Sequence, residues 1–265
     1  MKVKLFGFII IHLLCDLRLV FSRHEPLQST PARLGELPYH VAIYMQSRAI
    51  LCSGTILNQR HVLSSAHCVT RYKDRPSHLD VVIGTIHRSV GGRWYNVYSV
   101  VIHPNYTGDG QHDLAILKTV LPMEMSEFSR PIKLPKFEDH DPLPGKLATV
   151  SGWKALPNEP EEYDDEGSLL QKAGVDVVPL KVCQELLAGT GREISSRHIC
   201  AGNIYSQGSC IGDNASPLVL NNVQIGILSW GTQCGSGDPD VYTKIKSYLP
   251  WIRKNAFPYH VLNLV

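Results

Sequence analysis

The apolar runs of this chain are short, and that restricts its fold more than any other feature. Eight candidate strands stand out at 40–46, 51–57, 79–86, 97–103, 113–118, 147–153, 170–178 and 223–230. Turns rich in Pro, Gly, Asn and Asp separate most of them, the pattern of a β-sandwich or barrel. Helical spacing is convincing only near the end, where Ile245, Tyr248, Leu249 and Ile252 recur three or four residues apart. Ser247 is placed to cap that helix, and Pro250 falls in its first turn, where proline is tolerated. There are no internal repeats. An all-β barrel chain of 265 residues often forms a single domain.

Residues 1–22 read as a secretory signal peptide. Lys2 and Lys4 precede an apolar run over 5–14, and Val20-Phe21-Ser22 offers a cleavage site. The run is too short to span a bilayer, and no later apolar run is long enough, so no membrane span is expected. Losing Lys2, Lys4, Arg18 and Asp16 takes the formal charge from +2 to zero. That balance gives no reason to expect a nucleic acid or an anionic membrane as partner. Cys15 leaves with the signal. The even set of Cys52, Cys68, Cys183, Cys200, Cys210 and Cys234 then argues for disulfides in an oxidising compartment, without deciding among fifteen pairings. A zinc site is the competing reading, but no CxxC pair supports it, and no metal or other cofactor is expected. Glu159-Pro160-Glu161-Glu162-Tyr163-Asp164-Asp165-Glu166-Gly167 repels itself and reads as a solvated loop, the alternative being a docking site for calcium or a basic partner.

Three further pieces carry chemistry. Ser64-Ser65-Ala66-His67-Cys68 follows a β-rich segment that contains Cys52-Ser53-Gly54-Thr55. His112-Asp113-Leu114-Ala115-Ile116-Leu117 sets an aspartate at the entrance to a buried strand, and Gly212-Asp213-Asn214-Ala215-Ser216-Pro217 precedes Ser229-Trp230-Gly231. Alone, His67 is an ordinary histidine and Asp113 a turn residue. Together, in this order, they resemble the chymotrypsin/trypsin family over residues 38–258.

The resemblance implies an all-β fold of two six-stranded antiparallel β-barrels, with a cleft between them and a C-terminal helix. Residues 23–37 would form a short N-terminal segment and 259–265 a tail. His67 would be the general base, Asp113 the carboxylate that fixes its tautomer, and Asn214 would stand at the nucleophile position. The N–H groups of Gly212 and Asn214 would form the oxyanion hole. Ser229, Trp230 and Gly231 would pair with a peptide backbone by strand addition. The implied disulfides are Cys52–Cys68, Cys183–Cys200 and Cys210–Cys234. A further bridge of some members would join the positions of Ala148 and Leu220, both apolar here.

The departures are as informative as the matches. The family motif reads Gly-Asp-Ser-Gly-Gly-Pro, and here asparagine replaces the serine. An amide offers no hydroxyl for a histidine to activate. Ser216 is two residues out of frame, away from His67. Active members are cut after a basic residue, and the new Ile-Val-Gly-Gly terminus pairs with the aspartate before the nucleophile, Asp213 here. The nearest counterpart, Ala32-Arg33-Leu34, lies only about four residues before Pro38. At ~3.5 Å per residue the terminus falls short by more than ~25 Å, so no working activation site is expected. In the specificity pocket Gly208 stands where trypsin has aspartate, while Asp240 replaces a wall glycine. Asp240 either receives Lys or Arg from the wall, or merely plugs the pocket or caps the adjacent turn. Asn105-Tyr106-Thr107 is a glycosylation candidate on a loop; at Asn214-Ala215-Ser216, burial and the following proline argue against use.

These residues favour a secreted, non-catalytic serine protease homologue that binds a protein or peptide as a cofactor, decoy or regulator of proteolysis. An active protease, a protease inhibitor or a surface receptor would be its partner. One alternative is a weakly active endopeptidase cleaving after Lys or Arg; the other is a structural component of a secretion.

Overall fold

The computed structural model describes residues 29–46, 48–153, 169–202, 214–232 and 236–257. The strands are β1 (Thr30–Pro31), β2 (His40–Met45), β3 (Ile50–Asn58), β4 (His61–Ser64), β5 (Leu79–Ile83), β6 (Arg93–Ile102), β7 (Ala115–Thr119), β8 (Leu147–Gly152), β9 (Gln171–Val178), β10 (His198–Ala201), β11 (Pro217–Leu220), β12 (Val223–Trp230) and β13 (Asp240–Lys244). The first barrel closes in the order β2-β3-β4-β7-β6-β5. The second runs β8-β9-β10-β13-β12-β11 and closes through β11 onto β8, with β1 added to the edge of β9. Both are antiparallel, as the resemblance implies. Among the described residues, no helix is long and apolar enough to cross a membrane.

Strand periodicity explains how one barrel meets the other. In β2, Val41 and Ile43 point into the first core, while Ala42 and Tyr44 face a second cluster with Val82, Trp153 and Leu170. Both faces are covered, so the strand reads as nearly continuous apolar sequence. Gly54 in β3 allows close strand approach, since a Cβ there would lie 2.8 Å from the Leu63 carbonyl oxygen. The strand expected at 79–86 stops at Ile83 because Gly84 turns the chain with φ +74°. β6 begins four residues before the expected 97, since its exposed first half carries no alternation to read. β4, β10, β11 and β13 are only four or five residues long and gave no separate signal.

The C-terminal helix needs one correction. A 3-10 turn occupies Ile245–Tyr248, and the α-helix proper is Leu249–Ala256. Tyr248, not Ser247, stands at its N-cap, without a side-chain cap; Pro250 does lie in the first turn. Ile245, Tyr248, Leu249 and Ile252 are buried in the core of the first barrel, which the chain reaches after finishing the second. Asn58 Nδ2 donates to the Ala256 carbonyl at 2.7 Å and ties the helix end down. Two short helices went unanticipated, at Ala66–Val69 and Leu180–Leu186.

Two buried polar pairings lie along the seam between barrels. His40 is buried, with Nδ1 2.9 Å from Ser151 Oγ and Nε2 2.9 Å from Ser53 Oγ. Thr55 Oγ1 donates to Gln224 Oε1 at 2.8 Å, with both residues fully buried. Burial lowers the His40 pKa from its ordinary 6.5 to about 3. Between those values the unfolded chain binds a proton that the folded one refuses. Stability therefore rises with pH across that window and is lost as pH falls below 6.5, by up to ~1.4 kcal/mol per unit from this group. Urea unfolding at pH 6.5 and pH 4.5 should show that loss, and His40→Gln should shrink it. An unchanged pH slope in the variant would exclude His40 as its source.

Candidate functional site

The site is assembled from both barrels. His67 sits in the short helix Ala66–Val69, next to Cys68, whose disulfide to Cys52 fastens that turn to β3. Asp113 follows His112, whose left-handed φ of +53° turns the chain sharply ahead of β7. A β-bulge between Leu228 and Trp230 re-aims Ser229 on β12.

These three features converge on one buried carboxylate. Asp113 Oδ1 accepts the His67 backbone N–H at 2.8 Å; Oδ2 lies 2.6 Å from His67 Nδ1 and accepts the Ser229 hydroxyl at 2.6 Å. Asp113 is 1% exposed, and its carbonyl accepts from Thr243 Oγ1. An acceptor at Nδ1 holds the proton there and leaves Nε2 with the lone pair, the tautomer a general base requires. The His67 side chain is 27% exposed, and Cys68 Sγ lies 3.6 Å from its Nε2.

Asn214 is stitched into the same neighbourhood. Its carbonyl accepts the Ser53 N–H at 2.9 Å, one residue from Cys52. Ala215 adopts φ +65°, a conformation that favours glycine. Its N–H bonds the Leu228 carbonyl, and the Leu228 N–H bonds the Ser216 carbonyl. Asn214 is exposed, contrary to the burial expected of its sequon. The hydroxyl residue of that sequon, Ser216, is fully buried, and among the described residues its Oγ has no hydrogen-bond partner. A nucleophile sealed in the core cannot reach a substrate.

The pocket wall is partly described. Asp240 opens β13, and its Oδ1 lies against Gly231, where a Cβ would collide with it. Trp230 is largely buried beside them. Gly208, Gly212, Asp213 and the Cys210–Cys234 pair lie outside the described residues, as do the signal segment and the acidic run. Cys183–Cys200 is formed. Asn105 is exposed on the loop after β6. Residues 30–37, expected to precede the domain, are anchored to it. β1 pairs with β9, and the Ala32 N–H bonds the Leu170 carbonyl at 2.7 Å. Arg33 and Glu36 close a turn, while Glu36 pairs with Lys172. The Arg33 N–H and the Lys172 ammonium hold the Glu36 carboxyl below its usual range.

Sequence reasoning missed two histidine groups. His40 with its two serines resembles a hydrolytic pair by residue type, but it is 3% exposed and has no carboxylate orienter. His103 and His112 stack at 5.0 Å beside Tyr248 and Trp251. Cys52, His67 and Cys68 bring possible metal ligands within 4.8 Å, but the sulfurs are bonded to each other, which removes the thiolates a metal would need.

Two closed barrels with a His–Asp–Ser229 network between them define a trypsin-like serine protease scaffold. The Trypsin family model matches residues 27–252. The chain is 28% identical over 229 residues to Trypsin Blo t 3 of Blomia tropicalis, covering 84% of this chain and 83% of that protein. It is 31% identical over 226 residues to Trypsin 5G1 of Aedes aegypti, covering 83% and 80%. The chain belongs to the trypsin family.

The Asp240–Gly231 contact yields a stability test. Gly231→Ala should destabilise by roughly 1–3 kcal/mol through overpacking. Adding Asp240→Ala should recover most of that loss, because touching residues couple. Additive losses in urea unfolding would show that the two do not share one space.

Proposed function

We propose that this chain is a secreted, non-catalytic member of the trypsin family that acts by binding a protein or peptide. Its role would be that of cofactor, decoy or regulator of proteolysis, with an active protease, a protease inhibitor or a surface receptor as partner. One observation carries this reading: an exposed asparagine stands where the family has its nucleophile, and the nearest downstream hydroxyl, Ser216, is buried. Both relatives are named trypsins, and trypsin chemistry requires an acyl-enzyme that an amide cannot form. Removing the serine from another serine protease costs about 10⁶ in turnover, roughly 8 kcal/mol of transition-state stabilisation. The signal-like start of the sequence and two disulfides support secretion.

The retained network gives a second reading its foothold. His67, Asp113 and Ser229 are arranged as a general base requires. A weak endopeptidase, about 10³–10⁴-fold over water from binding and oxyanion stabilisation, is the form that activity would take.

Purified protein without residues 1–22, beside its Asn214→Ser variant, separates these readings. Each is treated with a fluorophosphonate probe and with Arg-, Lys- and Phe-type peptide substrates. The natural protein should neither label nor turn over. Turnover that is lost in His67→Ala would overturn the binding-protein reading. Labelling of Asn214→Ser would show that the remainder of the site is competent for chemistry.

A further inference from the structure

Beside the bulge that carries Ser229, the guanidinium of Arg192 lies over the indole of Trp230, with Cζ 4.9 Å from the ring centroid. The N–H edge of that indole packs against Gly110, where a Cβ would approach Nε1 to 2.7 Å. Trp230 is thus covered on one face by a cation and on one edge by backbone, and it is 8% exposed. The segment bearing Arg192 is clamped in place. Gln111 Nε2 donates to the Glu193 carbonyl at 2.6 Å, and the Arg192 N–H donates to Thr190 Oγ1 at 3.3 Å.

Arg192 is exposed, and among the described residues no carboxylate forms an ion pair with it. The acids of the adjoining loop are already engaged. Asp109 accepts from Thr107 Oγ1 at 2.7 Å and from the Gln111 N–H at 2.9 Å, while Asp113 is held by His67 and Ser229. A guanidinium over an indole that no carboxylate has claimed still carries five N–H donors, in the fork that matches a carboxylate. The indole also fixes the cation beforehand, so less freedom is lost when a ligand arrives. An apolar side chain seeking the indole would first have to displace Arg192.

We propose that Arg192 makes the Trp230 end of the groove a selector for acidic peptide segments, in which an aspartate or glutamate pairs with the stacked guanidinium. The inference rests on the peptide-binding reading above and names the chemistry of its ligand.

Fluorescein-labelled Ala-Ala-Ala-Pro-Arg-amide is the probe, with Glu walked through the three alanine positions and a Gln peptide matched to each. Glu and Gln share shape and differ in charge. In fluorescence anisotropy at low salt, one Glu register should bind roughly two- to fivefold tighter than its Gln partner, as an exposed ion pair allows. The ratio should fall toward one at about 0.5 M salt, by screening, and in Arg192→Gln. Arg192→Glu should reverse it in favour of a Lys peptide. Arg192 is exposed, so these variants should keep the fold, which an unchanged urea midpoint verifies. Equal Glu and Gln affinities in every register, or a preference that survives Arg192→Gln, would overturn the selector and leave peptide binding intact. Binding by no peptide at millimolar concentration would overturn both.

Discussion

A buried carboxylate is tolerated only when its lone pairs are occupied, and Asp113 meets that requirement with donors from both barrels. His67 supplies two N–H groups from the first barrel, Ser229 supplies a hydroxyl from the second, and Thr243 engages the Asp113 carbonyl. Removing any one donor leaves a desolvated acceptor, so these residues hold one another in place irrespective of catalysis. That gives a physical reason for a chain with asparagine at the nucleophile position to keep the rest of the constellation: the network belongs to the barrel–barrel seam as much as to the reaction.

Two further polar pairings of the seam follow the same rule. His40 bridges Ser53 and Ser151, and Thr55 meets Gln224, each pair crossing sequence that is far apart or belongs to different strands. Apolar packing supplies the remainder, with the C-terminal helix returning to complete the first core. Trp230, with Arg192 above it, is held by elements of the second barrel that do not depend on turnover.

Legibility in the sequence tracked burial and length. Strands such as β2, β8 and β12, six or eight residues long, were readable because periodicity accumulates along them. β4, β10 and β13 were not, since four or five residues with polar members carry too little pattern and form only because neighbours supply their hydrogen bonds. Asn214 was read at once as the departure in its motif. Its exposure was not, because burial is set by how residues 214–216 are stitched to β3 and β12. The Ser247 cap failed for a similar reason: packing of Tyr248 and Leu249 into the first core decided where the turn gives way to α-helix.

By itself the sequence determined the class of fold, the positions of His67 and Asp113, and the absence of a hydroxyl at residue 214, since these depend on local periodicity and on which atoms a side chain contains. Only the tertiary structure decided that Ser216 is sealed, that Asp240 abuts Gly231, and that Arg192 lies on Trp230. Those three facts are relations between residues that are not neighbours in the chain, from nine residues apart for Gly231 and Asp240 to thirty-eight for Arg192 and Trp230. They arise when two barrels close and bring those residues within a few ångströms, which no spacing along the backbone encodes.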